Sequence, residues 1–203
     1  MVTNLTEEVS RSVWYGWGDP SRARPLSEGA LAFLRRTLGL ASVEAVHPPV
    51  DLADVRVGPI ALDATVLAEL RTVTGAEHVA TDALERILHA GGKNTPDLLR
   101  RRGGDALQAP DAVVFPGTSE EVGELLALCV KRQLAVVAFG GGTSVVGGVE
   151  PLRGRFAGVI TIDLRRMNRL LSLDPAARTA TFEAGIRGPA IEAALAPHGL
   201  TLG

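Results

Sequence analysis

Cysteine is almost missing from this chain: Cys129 is the only one in 203 residues. A single thiol excludes an intramolecular disulfide and any cysteine-based zinc cage. Aromatic residues are scarce at 4%, so the interior must be built from Ala, Val, Leu and Ile. An excess of positive charge is absent too. The net charge of −2 argues against a nucleic-acid partner held by bulk electrostatics. The first residues, MVTNLTEEVSRSVWYGWGD, contain no apolar core of the kind a signal peptide needs. No uncharged apolar run approaches the ~18 residues required to span a bilayer. These absences lead us to expect a cytoplasmic protein, with peripheral membrane association left open for a longer form. What is present is enough to build a core: 46% hydrophobic and 22% charged residues.

Histidine carries little signal. His47, His78, His89 and His198 stand in separate segments without ligand spacing, and each reads as solvated or packed. Asp163 and Glu183 read the same way, since nothing in the sequence pairs them as acid and base. The triplet Arg100-Arg101-Arg102 reads as a solvated helix end favoured by the dipole.

Residues 1–108 read as a mostly helical region. One helix is expected after Ser27 up to Gly39, and a second after Asp63 up to Gly75. A third runs from Thr81 or Asp82 to Gly91. A fourth has Thr95 as cap and Pro96 at the first helical position, and ends at Gly103. The Pro48-Pro49 pair makes the stretch between the first two extended or irregular. Character changes near residue 109. DAVVFP and LAVVAF are apolar, β-branched strand candidates flanking a helix with Thr118 and Glu121 at capping-box spacing. Strand, helix and strand predict a βαβ unit with parallel strands. Cys129 falls on the apolar stripe of that helix and reads as a packed core thiol. GVITIDL is a third strand, LLSLDPAARTATF a β-hairpin, and Gly188-Pro189 opens a last helix. The fold class is therefore α+β.

The segment with most chemical content is FGGGTSVVGG. Five glycines fall within nine residues, from Gly140 to Gly148. A P-loop requires a lysine where Gly148 stands, and a Rossmann fingerprint requires glycine where Val145 stands. What remains is a run of bare N–H groups that can cradle anionic oxygens, with hydroxyls from Thr143 and Ser144 beside it. Gly147 and Gly148 would let a flat or bulky group lie against the chain.

PDAVVFPGTSEEVGELLALCVKRQLAVVAFGGGTSVVGG, followed by the third strand, the hairpin and ATFEAGIRGPAIEAAL, resembles the FAD-binding domain of the vanillyl-alcohol-oxidase or p-cresol-methylhydroxylase (PCMH) type over residues 109–203. WYGWGD, LHAGGKNTPDLLRRRGGDALQAPDAVVFP and LRRMNRLLSLDPAARTATFEAGI narrow the resemblance to alkyl-dihydroxyacetonephosphate synthases and their bacterial homologues. The resemblance implies a helical N-terminal region over 1–108 and the first α+β subdomain of that FAD-binding fold over 109–203. It implies FAD as cofactor, with Phe139, Gly140, Gly141, Gly142, Thr143, Ser144 and Val145 contacting the pyrophosphate. It also implies a small-molecule or lipid-like substrate for the full-length family and allows a homodimer. The activity implied is exchange of an acyl group on dihydroxyacetone phosphate for a long-chain alcohol, without net redox change. Two alternatives stay open: a fragment of an FAD-dependent D-2-hydroxyacid or glycolate dehydrogenase, and a non-catalytic remnant that holds a nucleotide phosphate. The second FAD segment and cap of the family match no positions here. No catalytic residue can be assigned, no metal is expected, and these residues alone are expected to bind FAD weakly or not at all. Trp14 and Trp17 read as hydrophobic anchors.

Overall fold

The computed structural model describes residues 13–18, 24–41 and 48–203. His47 and Asp19, named above, lie outside them. Helix ends follow the capping chemistry of the sequence. α1 (Glu28–Leu38) starts at Ser27, whose hydroxyl accepts from the Ala30 N–H, and stops at Gly39 in the left-handed conformation. α2 (Ala64–Thr74) is capped by Asp63, and α3 (Ala83–Leu88) by Asp82. α3 is shorter than expected, ending at His89 rather than Gly91. α4 (Thr95–Arg102) is capped by Asn94, not Thr95; the Asn94 Oδ1 takes the Asp97 N–H at 2.8 Å. α5 (Ser119–Arg132) has the expected Thr118 cap. Here Glu121 donates its N–H to Thr118, while its carboxylate accepts from Gly117 instead of Thr118. α6 (Gly188–Leu195) opens with the expected glycine and proline.

The strands are β1 (Arg56–Val57), β2 (Val79–Ala80), β3 (Asp105–Ala106), β4 (Ala112–Val114), β5 (Leu134–Phe139), β6 (Gly158–Asp163), β7 (Leu170–Asp174) and β8 (Thr179–Phe182). The main sheet has the order β2-β4-β6-β5. β4 and β5 both run parallel to β6, and β2 is antiparallel to β4. The two strands of the expected βαβ unit are therefore not neighbours, because β6 lies between them. Every residue of β6 is buried, Thr161 and Asp163 included, as expected of a strand flanked by partners on both edges. β1 pairs with β3, and β7 with β8 forms the expected hairpin.

The main core joins α2 and α5 to the sheet through Leu62, Val66, Leu70, Val79, Val114, Leu125, Cys129, Ile160 and Ile162. Cys129 is a packed core thiol, and burial pushes it up to about 11. Sheet and core both cross residue 108, since β2 and α2 come from the first half of the chain. A smaller core of Val55, Ile87, Ala90, Ala106 and Ala109 carries Trp14 on its flank, while Trp17 is exposed. Among the described residues no helix is long and apolar enough to cross a membrane.

Candidate functional site

β5 delivers the chain to the glycine segment at the edge of the sheet. Phe139, its last residue, is buried, and its carbonyl receives the Leu164 N–H at 3.0 Å. The chain then leaves the ladder. Among the described residues, nothing accepts the N–H groups of Gly141, Gly142, Thr143, Ser144, Val145, Val146 or Gly147. Gly141, Thr143, Val145 and Val146 are exposed, Ser144 and Gly147 half-buried and Gly142 buried, so most of these donors face outward. A consecutive run without partners is a ready acceptor site for anionic oxygens.

The glycines divide by cause. Gly142 has a φ of +66°, and a Cβ there would lie 2.4 Å from the Phe139 ring. The fold itself demands glycine at that position. Gly140 has open space where a Cβ would stand, and the nearest atom at Gly141 is Thr143 Cγ2 at 3.7 Å. Neither has a positive φ. No internal contact calls for bare backbone at Gly140 or Gly141, so their bareness serves whatever approaches from outside. The Thr143 side chain is exposed, and the Ser144 Oγ accepts the Gly148 N–H at 3.0 Å while keeping its own hydrogen to donate. Val145 is exposed at the turn of the loop. Phe139, buried at the end of β5, thus leads into the rim of the loop, formed by Gly140, Gly141, Gly142, Thr143, Ser144 and Val145.

A second glycine segment, quoted above only as part of the resemblance, supports this rim from behind. The Lys93 N–H donates to the Ser144 carbonyl at 2.7 Å. A Cβ on Gly92 would stand 2.1 Å from that same oxygen. Gly92 is fixed in turn by its N–H to the Asp97 carboxylate at 2.9 Å and by the Arg101 guanidinium on its carbonyl. The arginine triplet is therefore not a solvated face. Arg101 is 1% exposed, Arg100 pairs with Asp97 and Glu150, and Arg102 lies over the Tyr15 ring. Helix α4 turns Arg101 inward onto the carbonyls of Gly91 and Gly92, which no other donor satisfies.

His89 and Asp163 meet beside Phe139, although 74 residues separate them in sequence. Both are buried. His89 Nε2 stands 2.9 Å from the Asp163 carboxylate and Nδ1 2.7 Å from the Glu85 carbonyl. Both ring nitrogens lie within hydrogen-bonding distance of an oxygen. Arg165 closes the group with two bonds to Asp163, at 3.0 and 2.7 Å. Burial works to raise the Asp163 pKa, but the hydrogen bonds from His89 and Arg165 outweigh it and hold the carboxyl below its ordinary value. This cluster is a packed ion network that braces the end of β6, in line with the sequence reading of its histidine. Glu183 accepts from the Arg169 backbone and guanidinium at the hairpin. His78 is half-buried beside Glu77, and His198 is exposed. Among the described residues no three His, Cys, Asp or Glu side chains are grouped to hold a metal.

Comparison with known proteins gives this rim a context. Residues 110–203 match the FAD binding domain family. The chain is 34% identical to an alkyldihydroxyacetonephosphate synthase of Trypanosoma brucei brucei over its whole length, which is 36% of that protein. It is 42% identical to protein Rv2250A of Mycobacterium tuberculosis, over 57% of this chain and 76% of that one. A solved alkyldihydroxyacetonephosphate synthase superimposes with a TM-score of 0.81 at 30% identity, covering 96% of this chain and 40% of that one. p-Cresol methylhydroxylase superimposes with a TM-score of 0.56 at 17% identity over 70% of this chain and 27% of that one, a likeness of fold. The chain thus spans little more than a third of the synthases it matches.

Proposed function

Because the chain belongs to the FAD binding domain family, we propose that it forms the first part of an enzyme of the alkyldihydroxyacetonephosphate synthase type. Its cofactor is FAD, and it is a flavoprotein of the oxidoreductase type that resembles that synthase. In this reading residues from 109 onward begin the FAD-binding domain. Residues 1–108 form a largely helical extension that adds one strand to its sheet.

The observation that carries the reading is the run of unpartnered N–H groups from Gly141 to Gly147. A pyrophosphate carries the negative charge and the acceptor oxygens that such a run requires. Gly140 and Gly141 admit it to the backbone, Thr143 and Ser144 add hydroxyl donors, and Phe139 anchors the start of the loop. When bound, FAD supplies an electron-accepting ring system. The chain's own part is to hold the phosphates and fix the orientation of the cofactor. The acyl-for-alcohol exchange on dihydroxyacetone phosphate is the activity we assign to the complete enzyme.

Gly141→Val tests the placement. The backbone there accepts a Cβ, since φ is not positive and the nearest atom to it is 3.7 Å away. The variant should unfold at the wild-type denaturant concentration. It should also bind FAD at least tenfold more weakly in a titration followed by visible absorbance. Equal FAD affinity in the two chains overturns the assignment, and so does a folded wild type that takes up no FAD at millimolar concentration.

A further inference from the structure

Behind the glycine rim lies a small cavity lined by Trp14, His89, Lys93, Arg101, Gly141 and Arg187, among others. Its volume is about 60 Å³, on a scale where one water needs about 10–15 Å³. Four or five water-sized groups fill it, which is the size of a phosphate or a carboxylate. Three of its lining side chains are cations. Among the described residues, none of Lys93, Arg101 and Arg187 has a carboxylate within 4.0 Å. Lys93 spends two donors on the Val13 and Gly16 carbonyls, at 3.0 and 2.6 Å. Arg187 makes one long bond, 3.5 Å, to the Gly140 carbonyl. Arg101, 1% exposed, leaves its Nε buried without any partner.

Buried cations are ordinarily paired, because desolvation without a counter-charge is costly. The Asp97 carboxylate does not fill this role, since Arg100, Asn94 and the Gly92 N–H occupy it. The Asp163 carboxylate is held by His89 and Arg165. Burial, with a further contribution from the Arg101 charge, lowers Lys93 to about 8, as expected for an ammonium in uncompensated positive surroundings.

We infer that this cavity is an oxyanion site in which Lys93, Arg101 and Arg187 bind one phosphate or carboxylate group behind the glycine loop. The inference rests on the reading of the loop as part of an FAD site only for its setting, because the cations and the cavity exist without it. Two sources supply such a group: the cofactor's own pyrophosphate, or a separate anion such as the phosphate of a substrate.

Trp14 lines the cavity and reports on it. The chain has two tryptophans, so Trp17→Phe leaves Trp14 as the single probe. Inorganic phosphate should change its fluorescence saturably, with potassium chloride at equal ionic strength as the control. Arg187→Gln leaves the Lys93 contacts to Val13 and Gly16 in place, and should weaken phosphate binding at least fivefold without moving the unfolding midpoint. A response equal to that of chloride overturns the inference, and so does unchanged affinity in Arg187→Gln. FAD titrations with and without phosphate separate the sources. Competition assigns the site to the cofactor's pyrophosphate, and simultaneous binding assigns it to a separate anion. Binding of FAD without any phosphate response refutes the cavity alone. A phosphate response without FAD binding refutes the loop assignment alone.

Discussion

Gly92→Ala puts the support behind the glycine loop to its sharpest test. The new Cβ would stand 2.1 Å from the Ser144 carbonyl oxygen, whereas ordinary contact begins at 3.4 Å. The two segments must therefore part by about 1.3 Å, the difference of those distances. Neither side yields cheaply, because both atoms belong to backbone and Gly92 is tied to Asp97 and Arg101. Separation on that scale breaks the 2.7 Å bond from Lys93 N–H to Ser144. That loss is worth about 0.5–1.5 kcal/mol, and overpacking adds about 1–3 kcal/mol. The lower entropy of an unfolded alanine returns about 0.4–1 kcal/mol. The net expectation is a destabilisation centred on ~2 kcal/mol, within about 0.5–4 kcal/mol, measured by urea unfolding followed by circular dichroism. Gly141→Ala is the control: its Cβ meets nothing closer than 3.7 Å, so it should lose no stability and gain up to about 1 kcal/mol from the lower entropy of the unfolded chain. A Gly92→Ala chain as stable as that control would show that the two segments do not bear on each other.

Asp163→Asn should cost about 3–5 kcal/mol, because it leaves His89 and Arg165 facing a neutral group in a buried site. The pH dependence follows from the depressed Asp163 pKa. The carboxylate's contribution is complete above its unfolded value near ~3.9 and is lost as pH falls through the lower folded value. Wild type should thus lose stability more steeply below pH ~4 than Asp163→Asn does, and parallel curves would count against the network. Cys129, raised to about 11 by burial, should react with a disulfide reagent at pH 8 at least a hundredfold more slowly in the native chain than in urea. Comparable rates would mean that the face of α5 carrying it is open.

The caps at Ser27, Asp63, Asp82 and Thr118 were legible in the sequence because each is a local bond. A side-chain oxygen meets an N–H three residues ahead, whatever the rest of the chain does. The buried strands were legible because β-branched runs too short for helices have few other uses. Sheet order was not, since β4 and β5 each satisfy their hydrogen bonds equally well beside either partner. That β6 lies between them is decided by tertiary burial, which covers all six of its residues. The Arg101 side chain was illegible for a related reason. A triplet of arginines at a helix end looks solvated until one knows that two glycine carbonyls, nine and ten residues upstream, lie under it. The pair formed by His89 and Asp163 depends on contact across 74 residues, and no local spacing encodes it.

The glycine loop shows where a sequence reading can be carried further by geometry. From the sequence, five glycines in nine residues point to a ligand as a group. In the structure they separate. Gly142 and Gly147 have positive φ and would be glycine in a loop that bound nothing. Gly140 and Gly141 have no such need: a Cβ on Gly140 meets nothing within 4 Å, and one on Gly141 meets only Thr143 Cγ2 in ordinary contact at 3.7 Å. An absence of internal demand is the more informative property, because bare backbone has an entropic cost of ~0.5–1 kcal/mol per residue relative to alanine. Nothing inside the chain recovers that cost, so its compensation lies outside the chain. Beside the run of unpartnered N–H groups, Gly140 and Gly141 are thus the two glycines of the five that point to a ligand, and Gly141 is the one whose replacement tests it.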